Sequence, residues 1–162
     1  MAVGQPLNLE RELLEAFDHG GRVNEYLVSV LPRPLWHAPP PGGSGPTIGA
    51  IVAHMQSVRR TFAKMGGAGS DIPSLDRIRS TPVEARRAFR ESNETLMTLF
   101  RGSLARGEAR VKGMPRRVVN MMIYLLQHDA HHRGQICSLA RSLDHEFSKD
   151  DIMRLWGWKK LP

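Results

Sequence analysis

The composition of this chain predicts one folded domain and excludes a membrane-spanning protein. Hydrophobic residues make up 41% of the 162 residues and charged residues 24%, and no apolar run approaches the ~20 residues that cross a bilayer. The single cysteine, Cys137, excludes an internal disulfide and fits a reducing compartment. Because the N-terminal MAVGQPLNLERELLE lacks the features of a signal peptide, we expect a cytoplasmic protein with a single domain, residues 1–162.

The chain is basic, with 23 Lys and Arg residues against 16 Asp and Glu residues. The excess is concentrated in residues 77–90 and 101–117. Such charge attracts nucleic acid, anionic lipid or negatively charged small molecules. Since no nucleic-acid motif and no interleaved aromatic residues accompany it, we interpret both segments as solvated and expect neither nucleic acid nor a membrane as partner.

The first half of the chain contains two amphipathic helical patterns. The first runs from about Asn8 to Leu31 and stops before the sequence PRP. A loop rich in proline and glycine follows, which cannot continue a helix. Thr47 is then a candidate N-cap for a second helix that extends to about Met65.

The second half predicts two further long helices and a short one. The third begins at STPVEARRAF, where Thr81 and Glu84 fit a capping box. The fourth covers about residues 117–143, and Ser148 suits the N-cap of a short helical turn. No internal repeat interrupts this series of helices.

Four amphipathic helices in one domain predict an all-α fold, a four-helix bundle with a short C-terminal helical turn. The connection from Gly66 to Ser80 has 15 residues and extends up to about 50 Å. The second helix spans about 27 Å, so the connection is long enough to run back along it and allows the second and third helices to be parallel. At the C-terminus we expect Trp156 and Trp158 to pack back onto the bundle.

The sequence QHDAHHRGQI, residues 127–136, places several histidines on a helix that is otherwise apolar. At ~100° per residue, His128 and His132 lie about 40° apart on one face. That face continues through apolar positions, which predicts that both rings point into the core. On the second helix, His54 lies between apolar positions in the same way.

Three inward imidazoles indicate a metal site, because one divalent cation supplies a partner for all of them. We predict His54, His128 and His132 as the ligands. His131 is an alternative to His132, since it pairs with His128 at i, i+3. Three core histidines held by hydrogen bonds, with no metal, are the other interpretation.

Three neutral ligands leave the ion its full charge and an open position, as in catalytic zinc sites. A water or thiol bound there would lose its proton near neutral pH, and we expect this group, rather than a side chain, to be catalytic. Imidazole ligands favour zinc, nickel, cobalt or ferrous iron over magnesium or calcium.

Five further residues are candidates for supporting roles. Asn24, Asp129 and Gln135 are predicted to orient ligand imidazoles, and hydrogen bonds unrelated to a metal are the alternative. We expect Arg133 at the bundle surface, where it would bind an anionic substrate group or a partner subunit. Trp36 is predicted either to line a pocket mouth or to anchor its loop.

The motif HDAHHRGQI on the last long helix, with IGAIVAHM opening the second, closely resembles the DinB and YfiT-like family of small bacterial proteins. The similarity covers nearly the whole chain, including the LW…PP loop. It implies a four-helix bundle in up-down-down-up order, a divalent metal and, frequently, a homodimer. The family's three metal histidines correspond to His54, His128 and His132.

The resemblance implies a metal-dependent enzyme that acts on a small molecule. The leading prediction is an S-transferase that joins a thiol of the bacillithiol, mycothiol or glutathione type to a small electrophile. A metal-dependent hydrolase using the same site is an alternative, and some relatives resemble isomerases. A further alternative is a non-catalytic stress or binding protein stabilised by its metal. A nucleic-acid binder, indicated by the basic charge alone, is the last alternative.

Overall fold

The computed structural model describes residues 6–69 and 71–162, so Ser70 and the first five residues of the N-terminal segment discussed above lie outside the description. Within those ranges all regular structure is helical. The long helices are α1 (Leu9–Val30), α2 (Ile48–Met65), α3 (Pro82–Ala105) and α4 (Val118–Ser142), followed by the short α5 (Lys149–Leu155). Among them no helix is both long and apolar enough to cross a bilayer.

Side-chain caps define where most of these helices begin. Asn8, Thr47 and Ser148 each accept a hydrogen bond from the backbone N–H three residues later. At the start of α3, Thr81 and Glu84 form the reciprocal capping box that the sequence predicts. Each such cap contributes about 1 kcal/mol of helix stability, so these starts are encoded locally.

The helix directions follow from pairs of residues in contact at two levels of each interface. The pairs are Glu25–Arg90 and Phe17–Phe100 for α1 and α3, Gln56–Ser92 and Gly66–Leu99 for α2 and α3, His54–His132 and Phe62–Tyr124 for α2 and α4, and Gly20–Leu126 and Asn24–Arg133 for α1 and α4. In the contacts of α1 with α3 and of α2 with α4, residue numbers rise in opposite directions, so these helices are antiparallel. In the contacts of α2 with α3 and of α1 with α4, residue numbers rise together, so these helices are parallel. The order is therefore up-down-down-up, as expected.

The connection between α2 and α3, residues 66–81, runs back along α2 so that the two helices can be parallel. Gln56 of α2 donates from Nε2 to the Pro73 carbonyl over 2.9 Å. Near the end of the connection, the indole N–H of Trp36 donates to the Ser80 carbonyl over 2.6 Å. These side chains satisfy carbonyls of a segment whose described residues form turns and irregular structure.

The interior contains two apolar clusters separated by polar side chains. The cluster nearer the start of α1 includes Leu14, Phe17, Leu96, Phe100, Met121 and Leu125. The other includes Leu27, Val52, Met55, Phe89 and Ile136. The level between them holds the polar layer, which consists of Asn24, Gln56, Arg59, Ser92, Asn93 and Asp129. All four long helices contribute to this layer.

The C-terminal segment departs from the prediction. The hydroxyl of Tyr26 donates to Asp151 over 2.6 Å and ties α5 to α1. Beyond α5, however, Trp156 and Trp158 are 70% and 74% exposed, so the prediction that they pack onto the bundle is wrong. Asp150 pairs with two basic side chains of this segment, which holds the tail through polar contacts at the surface.

Candidate metal centre

Three histidines from two helices converge on one point. The Nε2 atom of His128 lies 3.3 Å from Nε2 of His54 and 3.2 Å from Nε2 of His132. The potential ligand atoms of all three residues lie within 4.8 Å of one another. An ion bound tetrahedrally with metal–nitrogen distances of about 2.05 Å separates its ligand atoms by about 3.3 Å. The two distances from His128 fit such an ion, and the third ligand atom lies within the same 4.8 Å group.

The hydrogen bonds around His132 leave a lone pair facing the centre of the cluster. Its Nδ1 lies 2.7 Å from Oε1 of Gln135, an acceptor, so Nδ1 carries the hydrogen. Burial lowers the pKa of His132, with the Gln135 contact opposing it, and burial together with His128 and Arg77 lowers the pKa of His54. Both rings are therefore neutral near pH 7, with nitrogen lone pairs available.

Hydrogen bonds among the three rings would satisfy them poorly. If Nε2 of His128 carried the hydrogen, it would serve only one of its two neighbours. The Nδ1 lone pair of the same ring would then face the carboxylate of Asp129, 3.7 Å away. A cation that accepts one lone pair from each ring removes both conflicts, so the donor set fits a divalent metal.

The site lies nearer the surface than the sequence predicts. His54 is exposed, and His128 and His132 are half-buried, so the prediction of rings deep in the core is wrong. Next to His128 on α4, the fully buried side chain is instead that of Asp129. The histidines lie along the edge where α2 meets α4, because α4 turns Asp129 rather than His128 into the bundle.

The alternative ligand His131 does not join the cluster. It is exposed, and although its ring centroid lies 5.0 Å from that of His132, the described group of converging ligand atoms consists of His54, His128 and His132. The placement therefore favours the i, i+4 pair over the i, i+3 pair.

Asp129 and Asn24 form a connected pair beneath the histidines. Oδ2 of Asp129 accepts from Nδ2 of Asn24 over 2.7 Å and from Nη1 of Arg59 over 2.6 Å. Burial raises the pKa of Asp129, but the charge of Arg59 and the donated hydrogen bonds outweigh it, and the pKa lies below its usual range. Asn24 thus contacts Asp129 and not an imidazole, whereas Gln135 contacts His132 directly.

Of the two proposed substrate or interface residues, Arg133 is placed differently from the prediction, and Trp36 takes the second of its two predicted placements. Arg133 is half-buried and donates to Oδ1 of Asn24 over 2.7 Å, so it faces the bundle interior and not the open surface. Burial lowers the pKa of Arg133, and Asp129 opposes this effect. Trp36 is only 2% exposed and therefore anchors its loop rather than lining a pocket mouth.

Arg59 is a central residue that the sequence analysis missed. Its side chain is 1% exposed and contacts Asp129, Asn93 and Ser92. The sequence does contain a signal for this role, since Arg59 lies four residues after Met55 and therefore on the buried face of α2. Arginine is almost never fully buried unless it is paired. An arginine there predicts a buried acidic partner.

A four-helix bundle in up-down-down-up order, with histidines of the second and fourth helices meeting at one point, defines a class of small helical proteins with a candidate metal centre. Comparison with protein families matches residues 4–159 to the DinB family, and the chain belongs to that family. Searches of curated proteins and of solved structures find no match to the chain.

Proposed function

We propose that this DinB-family protein is a metal-dependent enzyme whose His54, His128 and His132 bind one divalent ion, either zinc, nickel, cobalt or ferrous iron. The observation that carries the proposal is the convergence of the three histidines at an accessible edge, where Nε2 of His128 lies 3.3 Å from Nε2 of His54 and 3.2 Å from Nε2 of His132. When bound, such an ion lowers the pKa of a thiol or water that it contacts.

The reaction that we propose is S-transfer from a low-molecular-weight thiol to a small electrophile. A sulfur–carbon bond forms, the bond from that carbon to its leaving group breaks, and the thiol proton departs with the leaving group. Three neutral imidazoles add no negative charge to the site, which favours an anionic group such as a thiolate as the further partner. The exposure of His54 leaves room for both reactants to approach from solvent.

The arrangement of the core supports an enzymatic role over a purely structural one. The apolar clusters and the polar layer complete the bundle without using the three histidines. Structural zinc sites instead supply folding energy to domains that lack a sufficient core. We further propose a cytoplasmic location, which the composition favours, and a homodimer, which the family resemblance favours.

The experiment is an activity assay with defined metal and thiol. Protein stripped of metal and reloaded with one ion at a time is incubated with an alkyl or aryl halide and with bacillithiol, mycothiol or glutathione, and products are identified by mass spectrometry. The expected product is an S-conjugate that requires metal, thiol and His54. His54→Ala should abolish it, and His131→Ala is the matched control that should retain it.

The other outcomes identify the competing functions. Hydrolysis of an ester or amide panel that proceeds without thiol but needs metal would assign a hydrolase. If no product forms with any panel while metal removal unfolds the protein, the ion is structural. Equal S-conjugate yield in metal-free and metal-loaded protein would refute the proposal.

A further inference from the structure

We propose that Arg59 and Asp129 form a positioning pair for His128, in which Arg59 fixes the carboxylate and the carboxylate accepts the Nδ1–H of His128. The inference rests on the proposed metal site, and it assigns to Arg59 a role at that site although Arg59 contacts no ligand. The inference follows from which hydrogen bonds the side chains of the polar layer make and which of their polar atoms have no partner.

The guanidinium of Arg59 is held in one orientation. Nη1 donates to Asp129 over 2.6 Å, Nη2 donates to Oδ1 of Asn93 over 2.6 Å, and Nε donates to Oγ of Ser92 over 3.3 Å. The guanidinium carbon also lies 5.5 Å from the ring centroid of Phe17. Contacts to three other helices therefore fix its position, and a planar fork of this kind imposes geometry as well as charge.

The two oxygens of Asp129 are used unequally. Oδ2 accepts two hydrogen bonds, one from Asn24 and one from Arg59. Oδ1 is buried and has no hydrogen-bond partner among the described residues, and the same is true of Nδ1 of His128. These two atoms face each other at 3.7 Å.

Two buried orphan groups that face each other are complementary. Leaving a buried donor or acceptor unpaired costs about 1–3 kcal/mol, and a small shift brings this pair within hydrogen-bond distance. Because a carboxylate is only an acceptor, the contact requires the hydrogen of His128 to be on Nδ1. The Nε2 lone pair must then point toward His54 and His132, as a metal ligand requires.

A structural explanation of the same network is that it only stabilises the bundle. Buried polar networks do specify how helices pack, and truncating Arg59 would leave Asp129 as an uncompensated buried charge. The test must therefore separate the loss of stability from the loss of His128 orientation. Gln56 provides a matched control, because it belongs to the polar layer but bonds to Ser92 and Pro73, away from His128.

The variants are Asp129→Asn, Arg59→Met, Arg59→Lys and the control Gln56→Leu. Asp129→Asn is nearly isosteric, but its amide N–H can face Nδ1 of His128 and favour the opposite tautomer, with the hydrogen on Nε2. Arg59→Lys keeps a cation beside Asp129, whereas Arg59→Met does not. Arg59→Lys should therefore bind zinc more tightly than Arg59→Met and less tightly than the wild type.

Two readouts are compared with the thermal stability of each metal-free variant. The first is the zinc dissociation constant, measured by competition with a chromophoric chelator. We expect Asp129→Asn and Arg59→Met to weaken zinc binding about 10- to 100-fold, which is typical of lost outer partners of metal ligands. Gln56→Leu should lower the melting temperature and leave zinc affinity unchanged.

The second readout is the tautomer of His128 in the metal-free protein, read from imidazole ¹⁵N shifts near neutral pH and assigned with His128→Gln. The wild type should show the Nδ1–H form and Asp129→Asn the Nε2–H form. The inference would be overturned if zinc affinity falls in proportion to melting temperature in every variant, the control Gln56→Leu included. It would also be overturned if His128 of the wild type shows a mixture of both tautomers. If the wild type binds no zinc, the proposed function fails, and the tautomer still decides the positioning role.

Discussion

Nε2 of His54 lies 3.3 Å from Nε2 of His128 although the two residues are 74 positions apart and belong to antiparallel helices. A slip of one residue between α2 and α4 would rotate one ring by about 100° and separate the pair. The register is fixed nearby by the ion pair of Arg59 and Asp129, both fully buried. The geometry of the site is therefore a consequence of how the core packs.

Loss of one ligand should remove tight metal binding. We expect His54→Ala to weaken zinc binding by more than about 100-fold, because a direct ligand contributes more than the outer partners whose loss costs 10- to 100-fold. His131→Ala, which alters the adjacent exposed histidine, should bind zinc like the wild type. Isothermal titration measures both, and equal affinities for the two variants would contradict the assigned ligands.

Metal removal should leave the bundle folded. The two apolar clusters and the polar layer are complete without the three histidines. The ion therefore adds to the free energy of unfolding only what its binding to the folded state supplies, about 2.7 kcal/mol at a free metal concentration of 100 times Kd. Circular dichroism should show an unchanged helical spectrum after chelation and a melting temperature lower by several degrees. Loss of the helical spectrum on chelation would instead indicate a structural ion.

The pH dependence follows from the lowered pKa values of His54 and His132, whose ordinary value is 6.5. Between the folded pKa and 6.5 the unfolded chain binds more protons, so stability of the metal-free protein rises with pH and is lost as pH falls through that window. Zinc affinity should be steady above neutral pH and fall in the acid range, where protons compete for Nε2. Affinity that increases toward acid pH would contradict this.

Two glycines on different helices should respond oppositely to alanine. A Cβ at Gly21 would lie 2.2 Å from Oδ1 of Asn93, whereas a Cβ at Gly134 would meet nothing within 4 Å. We expect Gly21→Ala to destabilise the fold by about 1–3 kcal/mol through overpacking. The control Gly134→Ala should stabilise it by about 0.5–1 kcal/mol. Urea unfolding measures both, and a neutral Gly21→Ala would contradict the close approach of α1 and α3.

Local signals made the helices predictable. The capping box of Thr81 and Glu84 and the N-caps at Asn8, Thr47 and Ser148 are short patterns whose energetics do not depend on the rest of the fold. These local signals do not predict the order of the helices in the bundle, because the connection between α2 and α3 allows the parallel arrangement without requiring it. There the family resemblance supplied the order that the contacts confirm.

The surroundings of the site were less predictable because they depend on distant parts of the chain. Arg59 is paired with Asp129, 70 positions away, and a lone arginine on a helix is ordinarily solvated. The burial of the histidines was overestimated because the apolar positions around them do not show which of the neighbours His128 and Asp129 faces inward, and the structure buries Asp129. Trp156 and Trp158 were misplaced because hydrophobicity alone does not show what covers a side chain.

The most direct test of the account is X-ray absorption spectroscopy on purified protein reloaded with one equivalent of zinc, together with its metal content. The account predicts one tightly bound ion with three imidazole nitrogens at about 2.0–2.1 Å and a further light-atom ligand, and the loss of one imidazole contribution in His128→Ala. A spectrum with no multiple scattering from imidazole, or an unchanged one in that variant, would contradict it.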